Sequence, residues 1–306
     1  MAHSWLANVR ETKSVLEDFD LYTKHRLGQN FLVSDEVVGK ILDLAELDED
    51  DVVFEVGPGI GTLTVAMLPA AGAVCSVEAD RSLEPVLAET CAEDSECFAL
   101  VMGDALKVDA ERLVEAVRAL GLRGLDPHPT KLVSNLPYQV AATVILRTFE
   151  TMPTVRRAVV MVQAEVADRI AATPGTRAFG AYTAKLALFG EVTGRFEVGP
   201  GNFMPPPHVN SAVVRIDRRV AFDPATDRPL SPERLARTAQ VIDAAFAQKR
   251  KTIRNSMSAS GFEKDALDEA FALCSIAPTA RAETLAPDDF VLLAIALERV
   301  GAFDAP

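Results

Sequence analysis

Cysteine is scarce in this chain, and the few cysteines are not arranged for bonding. Four occur in 306 residues, and no two form a C-x-x-C pair. This distribution predicts reduced, buried thiols in a cytoplasmic protein. No acid or cysteine stands at metal-ligand spacing from His25 or His208, so we expect no metal site.

Long apolar runs are also missing. No stretch reaches the length of a membrane span, and Met1–Glu11 lacks the apolar core of a signal peptide. We therefore expect a cytoplasmic protein without membrane contact, with enough chain for one large domain and a smaller one.

Positive charge is in short supply. The chain has 31 Lys and Arg against 44 Asp and Glu, a net charge of −13, which argues against a general nucleic-acid binder. The exception is Ala244–Phe262, which contains no acid. It holds Lys249, Arg250, Lys251 and Arg254, interpreted as a basic helix that contacts RNA phosphates, with a solvated helix face as the alternative.

A glycine-rich stretch marks the centre of the fold. The apolar run Val52–Val56 predicts a strand buried on both faces, and Gly57, Gly59 and Gly61 follow it. A dinucleotide loop has the spacing G-x-G-x-x-G, whereas here the third glycine comes two residues after the second. This spacing resembles the S-adenosylmethionine loop of Rossmann-like methyltransferases.

Alternating strands and helices predict a doubly wound α/β sheet. Two closing strands, Val192–Val198 and Ala212–Asp217, have no helix between them and predict an antiparallel hairpin at one edge. We expect a Rossmann-like, seven-stranded methyltransferase sheet with a small all-helical C-terminal domain. The predicted bounds are 1–23 for a mobile or loosely helical lead-in, 24–220 for the methyltransferase domain and 221–306 for a helical RNA-binding domain. The last of these has predicted helices near Pro232–Ala247, Glu263–Leu273 and Pro287–Val300.

Other strand ends carry polar residues suited to a methyl donor and its target. Glu78 stands where an acid reaches a ribose diol, and Asp104 could accept from an adenine amino group. Asn135 and the Leu136 carbonyl could both accept from a target amine and aim its lone pair at the donor. Tyr138 offers a ring on which a flipped base can stack.

Separated motifs together resemble one enzyme family. Gln29–Leu32, Glu55–Gly61, Asn135–Tyr138 and Phe203–Ser211 occur in the order seen in ribosomal RNA adenine N6-methyltransferases. Gln248–Ser256 and Pro278–Ala286 are similar to the bacterial KsgA type, the small-subunit (16S) ribosomal RNA adenine N6,N6-dimethyltransferases.

The resemblance implies a function and a set of roles. It implies two adjacent N6,N6-dimethyladenosines made in 16S rRNA, in the small subunit or its precursor, by a monomer that uses S-adenosyl-L-methionine. The implied donor-binding residues are Asn30, Leu32, Gly57, Glu78, Asp104 and Asn135. The implied catalytic residues are Asn135, Leu136, Tyr138 and Phe203, with Tyr138 and Phe203 on either side of the base. The basic helix would be assisted on RNA by Lys24, Arg26, Arg156 and Arg157.

Three other functions remain as alternatives. One is a methylase of large-subunit rRNA of the macrolide-resistance type, disfavoured by the long C-terminal domain. A second is an assembly or transcription factor that keeps the fold without chemistry, disfavoured by the intact strand-end residues. The third is an NAD-dependent oxidoreductase, disfavoured by the glycine spacing.

Overall fold

The structure is a computed structural model and describes residues 3–21 and 30–303. The predicted phosphate contacts Lys24 and Arg26, and Gln29 of the first motif, lie outside these ranges. The helices are α1 (Val9–Asp18), α2 (Asp35–Ala45), α3 (Thr64–Met67), α4 (Glu84–Thr90), α5 (Ala110–Arg118), α6 (Ala141–Thr151), α7 (Ala164–Ile170), α8 (Ala181–Leu186), α9 (Pro232–Phe246), α10 (Ile253–Ala259), α11 (Lys264–Leu273) and α12 (Pro287–Arg299). The strands are β1 (Phe31–Leu32), β2 (Val52–Val56), β3 (Ala73–Glu78), β4 (Phe98–Met102), β5 (Lys131–Asn135), β6 (Arg157–Gln163), β7 (Gly190–Val198), β8 (Phe203–Met204), β9 (Ser211–Arg218), β10 (Phe222–Asp223) and β11 (Arg228–Pro229).

The central sheet has seven strands in the order β4-β3-β2-β5-β6-β9-β7. The five strands from β4 to β6 pair in parallel, and β9 pairs antiparallel to β6. Every residue of β2 and β3 is buried, as expected for parallel strands covered on both faces. The predicted fold class is confirmed, with β9 and β7 as the two closing strands at one edge.

The chain divides into two compact units. The first comprises residues 1–167 and 192–218, and the second comprises residues 168–191 and 219–306. The predicted methyltransferase domain, 24–220, was wrong in including residues 168–191. Phe179, Ala184 and Leu188 of that excursion belong to the apolar core of the second unit, so burial rather than sequence order decides its place.

The N-terminal lead-in is part of the first unit. Asn8 caps α1 by accepting from the Glu11 backbone N–H, and Leu6 and Leu16 are buried in the unit's core. The Ser4 N–H donates to Asp35 Oδ1 at 2.8 Å, which ties the segment to the start of α2. Within this predicted lead-in, Val9–Asp18 therefore forms a packed helix.

The predicted basic helix is interrupted. Residues 247–252 form turns between α9 and α10, so Lys249, Arg250 and Lys251 lie on a turn and Arg254 alone of the four is helical. Thr252 caps α10, its Oγ1 accepting from the Asn255 N–H at 3.4 Å. The Ile253 N–H donates to the Ala280 carbonyl at 2.8 Å, a long-range bond that a helix continuous through residue 253 would not make.

Two general expectations can be compared with the described residues. No helix within 3–21 and 30–303 combines the length and apolar character needed to cross a bilayer. All four cysteines are free thiols; Cys75 and Cys91 are buried, which raises the pKa of each to about 12, whereas Cys97 and Cys274 are half-buried.

Candidate active site

The glycine loop turns sharply at the carboxyl end of β2. Gly57, Gly59 and Gly61 have φ angles of +70°, +62° and +93°, a region that side chains with a Cβ rarely occupy. The Gly57 N–H donates to the Val77 carbonyl at 2.9 Å, which fixes the loop against β3. A Cβ on Gly57 would lie 3.2 Å from Pro137 Cγ, so the loop packs directly on the segment that follows β5.

Glu55 is a buried acid beneath the loop. It is 1% exposed, and its Oε2 accepts from Thr64 Oγ1 and Ser76 Oγ, each at 2.7 Å. Burial raises the pKa of Glu55 to about 7, against the lowering effect of these two donors. The carboxyl can therefore be neutral or ionised close to physiological pH.

Glu78 ends β3 and is the second buried acid of the site. Its Oε1 accepts from the backbone N–H of Asp80 at 2.8 Å. Burial raises the pKa of Glu78, and the backbone donors oppose the rise. Gly59 is among these backbone donors, so Glu78 lies beside the glycine loop, and its ribose contact stays a prediction.

Asp104 differs from Glu78 in its surroundings. It follows β4 and is exposed, with Lys107 Nζ at 3.7 Å from its Oδ2 and the Leu106 N–H donating to its Oδ1 at 3.0 Å. The Gly103 N–H donates to the Glu78 carbonyl at 2.8 Å, so the two strand ends are adjacent. Asp104 does not line the cleft described below, and its adenine contact stays a prediction.

The segment Asn135–Tyr138 leaves the carboxyl end of β5. Asn135 pairs with Met161 in β6, and the Leu136 N–H donates to the Met161 carbonyl at 3.1 Å. The Leu136 side chain is buried, whereas Tyr138 is half-buried and its hydroxyl lies 2.8 Å from Ser211 Oγ. The backbone of this segment is thus anchored in the sheet, and the tyrosine lines the cleft described below.

A two-stranded ribbon joins the first motif to the last. β1 pairs antiparallel with β8, matching Phe31 with Met204 and Leu32 with Phe203. Phe203 is 3% exposed, packs in the core of the first unit and does not line the cleft described below, so its contact with the target base stays a prediction. Phe31 lines the cleft instead and lies against Gly59.

These elements line one open cleft within the first unit, with a cavity volume of about 180 Å³. Five of the six predicted donor contacts line it, as do three of the four predicted catalytic residues. The lining consists of Asn30, Phe31, Leu32, Glu55, Gly57, Pro58, Gly59, Thr62, Leu63, Glu78, Asn135, Leu136, Pro137, Tyr138 and Gln139.

Several of these residues were not singled out from the sequence. Thr62, Leu63 and Gln139 could have been proposed from their positions next to the glycine loop and Tyr138. Thr64 and Ser76 hold Glu55, and their only signal is a hydroxyl placed on the helix or strand beside a buried acid.

The predicted RNA contacts have different surroundings. Lys249, Arg250 and Lys251 are exposed, whereas Arg254 donates from Nε and Nη2 to the two carboxylate oxygens of Asp268, each at 2.5 Å. Arg156 and Arg157 lie at the amino-terminal end of β6, the sheet edge opposite the glycine loop, and bind Asp51, Glu46 and Asp217. These two arginines therefore stabilise the first unit and do not border the cleft.

Comparisons with known proteins point to one family. A family model of ribosomal RNA adenine dimethylases matches residues 21–299. Proteins named ribosomal RNA small subunit methyltransferase A are similar: that of Corynebacterium diphtheriae is 39% identical over 93% of this chain and 92% of its own. That of Acidothermus cellulolyticus is 41% identical over 87% and 86%.

Two solved structures share the fold. A dimethyladenosine transferase from Plasmodium falciparum has a TM-score of 0.70 at 22% identity, covering 89% of this chain and 98% of that one. The 23S rRNA methyltransferase ErmE has a TM-score of 0.63 at 24% identity, covering 88% and 100%. Since the family model and the curated relatives each span most of the sequence, the chain belongs to the ribosomal RNA adenine dimethylase family.

Proposed function

We propose that this protein transfers methyl groups from S-adenosyl-L-methionine to N6 of two adjacent adenosines in 16S rRNA, in the small ribosomal subunit or its precursor. The observation that carries the proposal is the meeting of the glycine loop, Glu78 and Asn135 in one cleft. Relatives named small subunit methyltransferase A support the choice of subunit.

The cleft fits the proposed donor. The glycines bring backbone close to a ligand without side chains, and Glu78, held by the Asp80 N–H on the cleft wall, is the carboxylate proposed to accept from the ribose diol. Glu55 and Glu78 are buried acids on the cleft wall, and in their ionised forms they give the cleft a negative potential suited to a cationic ligand. When bound, S-adenosyl-L-methionine supplies an electrophilic methyl group on a positively charged sulfur.

The residues after β5 orient the acceptor. An adenine amine is a poor nucleophile because its lone pair is delocalised into the ring. The Asn135 carboxamide oxygen and the Leu136 carbonyl accept from that amine and favour a pyramidal nitrogen. Tyr138 stacks on the base outside its helix, and the methylated amine releases its proton to water.

The test is transfer of a labelled methyl group to small ribosomal subunits that lack the modification. We expect label in the small subunit, recovered after digestion as N6,N6-dimethyladenosine, and none in large subunits treated in parallel. Label confined to large-subunit RNA, or no label in either, would refute the proposal.

A variant at Tyr138 tests the stacking role. Tyr138→Ala is expected to bind the donor as the wild type does, measured by calorimetry, and to lose at least about 100-fold in methyl transfer, because stacking contributes about 1–3 kcal/mol per base and also orients the amine. Trp5→Ala is the matched control, since Trp5 is an aromatic residue 47% exposed that does not line the cleft. Unchanged turnover of the Tyr138 variant would remove the stacking role.

A further inference from the structure

Two motifs that are 73 residues apart meet in a single side-chain hydrogen bond. The Tyr138 hydroxyl and Ser211 Oγ lie 2.8 Å apart, and either can donate. Tyr138 closes the segment after β5, and Ser211 opens β9. The bond therefore connects the segment after β5 with the first residue of β9, two strands away in the same sheet.

Strand β6 sets the positions of both partners. Asn135 pairs with Met161 on one side of β6, and Ser211 pairs with Gln163 on the other. The Ala164 N–H also donates to the Asn210 carbonyl at 2.9 Å, which holds the residue before Ser211. Ser211 thus belongs to the rigid frame of the sheet, two residues along β6 from the register position of Asn135.

The partners differ in burial, and this decides which one holds the other. Ser211 is 0% exposed, so its hydroxyl has a fixed environment and needs a protein partner. Tyr138 is half-buried and lines the cleft, where its ring could otherwise rotate among several orientations. The buried serine is the fixed point, and the tyrosine ring is what it fixes.

We propose that Ser211 is a positioning residue: its hydroxyl holds the Tyr138 ring in the orientation that stacks the target adenine beside Asn135. The inference rests on the proposed function. It assigns to Ser211, the end of the motif Phe203–Ser211, a role that acts through Tyr138. Ser211 touches neither donor nor base. Its loss therefore slows methyl transfer and leaves donor affinity unchanged, because the remaining cleft residues stay in place.

The test is a double-mutant cycle on the full chain with unmodified small ribosomal subunits. Ser211→Ala and Tyr138→Phe each remove the bond from one side, and the double variant removes both hydroxyls. The maximal methylation rate at saturating subunit and donor, the donor Kd and the unfolding temperature are measured for each. Thr12→Val is the matched control, because Thr12 is also 0% exposed and donates one buried hydrogen bond, to the Leu6 carbonyl at 2.9 Å.

The expected result is coupling. Each single variant lowers the maximal rate about five- to tenfold, the size expected for removing one orienting hydrogen bond, and the double variant is no slower than Tyr138→Phe. Donor Kd stays at the wild-type value in all of them, and Thr12→Val keeps the wild-type rate.

Other outcomes overturn the assignment. A wild-type rate in Ser211→Ala, losses that multiply in the double variant, a changed donor Kd, or an equal loss in Thr12→Val would each show that Ser211 does not position the ring. These results require an active wild type. A wild type that labels no small-subunit RNA refutes the proposed function instead, so the two failures are distinguishable.

Discussion

At the scale of single residues, Glu55 links the site to the stability of the protein. Its pKa is raised to about 7 from an ordinary value of 4.5, so between these pH values the folded state binds more protons than the unfolded state. The free energy of unfolding therefore falls as pH rises through this window and levels off above it. The size of the effect is about 3 kcal/mol.

Glu55→Gln is expected to remove this dependence. Glutamine keeps an oxygen that can accept from Thr64 and Ser76 but does not ionise. Without donor, the variant should equal the wild type near pH 5 and exceed it in free energy of unfolding by roughly 3 kcal/mol above pH 7. Urea unfolding at pH 5, 6, 7 and 8 measures the difference, and a difference that is constant across these pH values would contradict the assignment.

Residue positions were predictable where a local pattern carried them. Glu78 and Asn135 follow buried strands, and parallel strands bring their carboxyl ends to one edge, so the sequence places both in the cleft. The burial of Phe203 was not predictable in this way. It depends on pairing with Leu32, which is 171 positions away and has no signal in the local sequence.

At the scale of elements, the glycine loop and the segment after β5 act as one unit because Gly57 packs on Pro137. Gly57→Ala would force a left-handed conformation and place a methyl group 3.2 Å from Pro137 Cγ. We expect the donor Kd to rise at least about tenfold, since a ligand site loses affinity when its backbone shifts by a few tenths of an ångström.

Gly121→Ala separates the effect of the left-handed backbone from the effect of the contact with Pro137. Gly121 has φ +71°, close to that of Gly57, but no atom lies near its added Cβ. Gly121→Ala should lower the free energy of unfolding by about 1 kcal/mol, the same loss that the left-handed backbone causes in Gly57→Ala. It should leave the donor Kd unchanged. Calorimetry and thermal unfolding of both variants make the comparison; equal donor affinities would show that the Pro137 contact is unimportant.

Element types were predicted well and one boundary was not. The strand β2 has the predicted bounds, Val52–Val56, because its largely apolar run begins after Asp51 and ends at Gly57. The predicted helix end near Ala247 agrees with the end of α9 at Phe246, but the prediction of a helix over Lys249–Lys251 was wrong, because lysine and arginine are good helix formers. Two contacts start a new helix at Ile253 instead: Thr252 caps it, and the Ile253 N–H donates to the Ala280 carbonyl. The second contact joins residues far apart in the sequence, so no local pattern predicts it.

At the scale of the whole molecule, an acidic chain carries an exposed basic turn. The net charge is −13, yet Lys249, Arg250 and Lys251 are consecutive and exposed. Replacing the three by glutamine should weaken binding to small-subunit RNA and reduce the slope of log K against log salt by about 2 to 3, roughly one for each phosphate that the protein no longer neutralises.

Lys264→Gln is the control for that change, since Lys264 is an exposed lysine on α11 of the same unit. Filter binding at several salt concentrations gives the slopes. Arg254 is left in place because Asp268 already holds its guanidinium group. An unchanged slope in the triple variant would assign these charges to solvation alone.

The division of the chain into interleaved units bears on how the protein is synthesised. The chain leaves the first unit at residue 168, shortly after β6, and returns to it at residue 192. The ribosome therefore makes β6 and the whole excursion before most of β7 and all of β9. As the chain emerges from the ribosome, β6 therefore presents an open edge until residues 211–218 arrive to pair with it. The second unit waits longer, because its core needs both the early excursion and the final helices. A nascent chain stalled before residue 211 would expose strand edge and apolar surface together, and is the form of this protein that chaperones would be expected to hold.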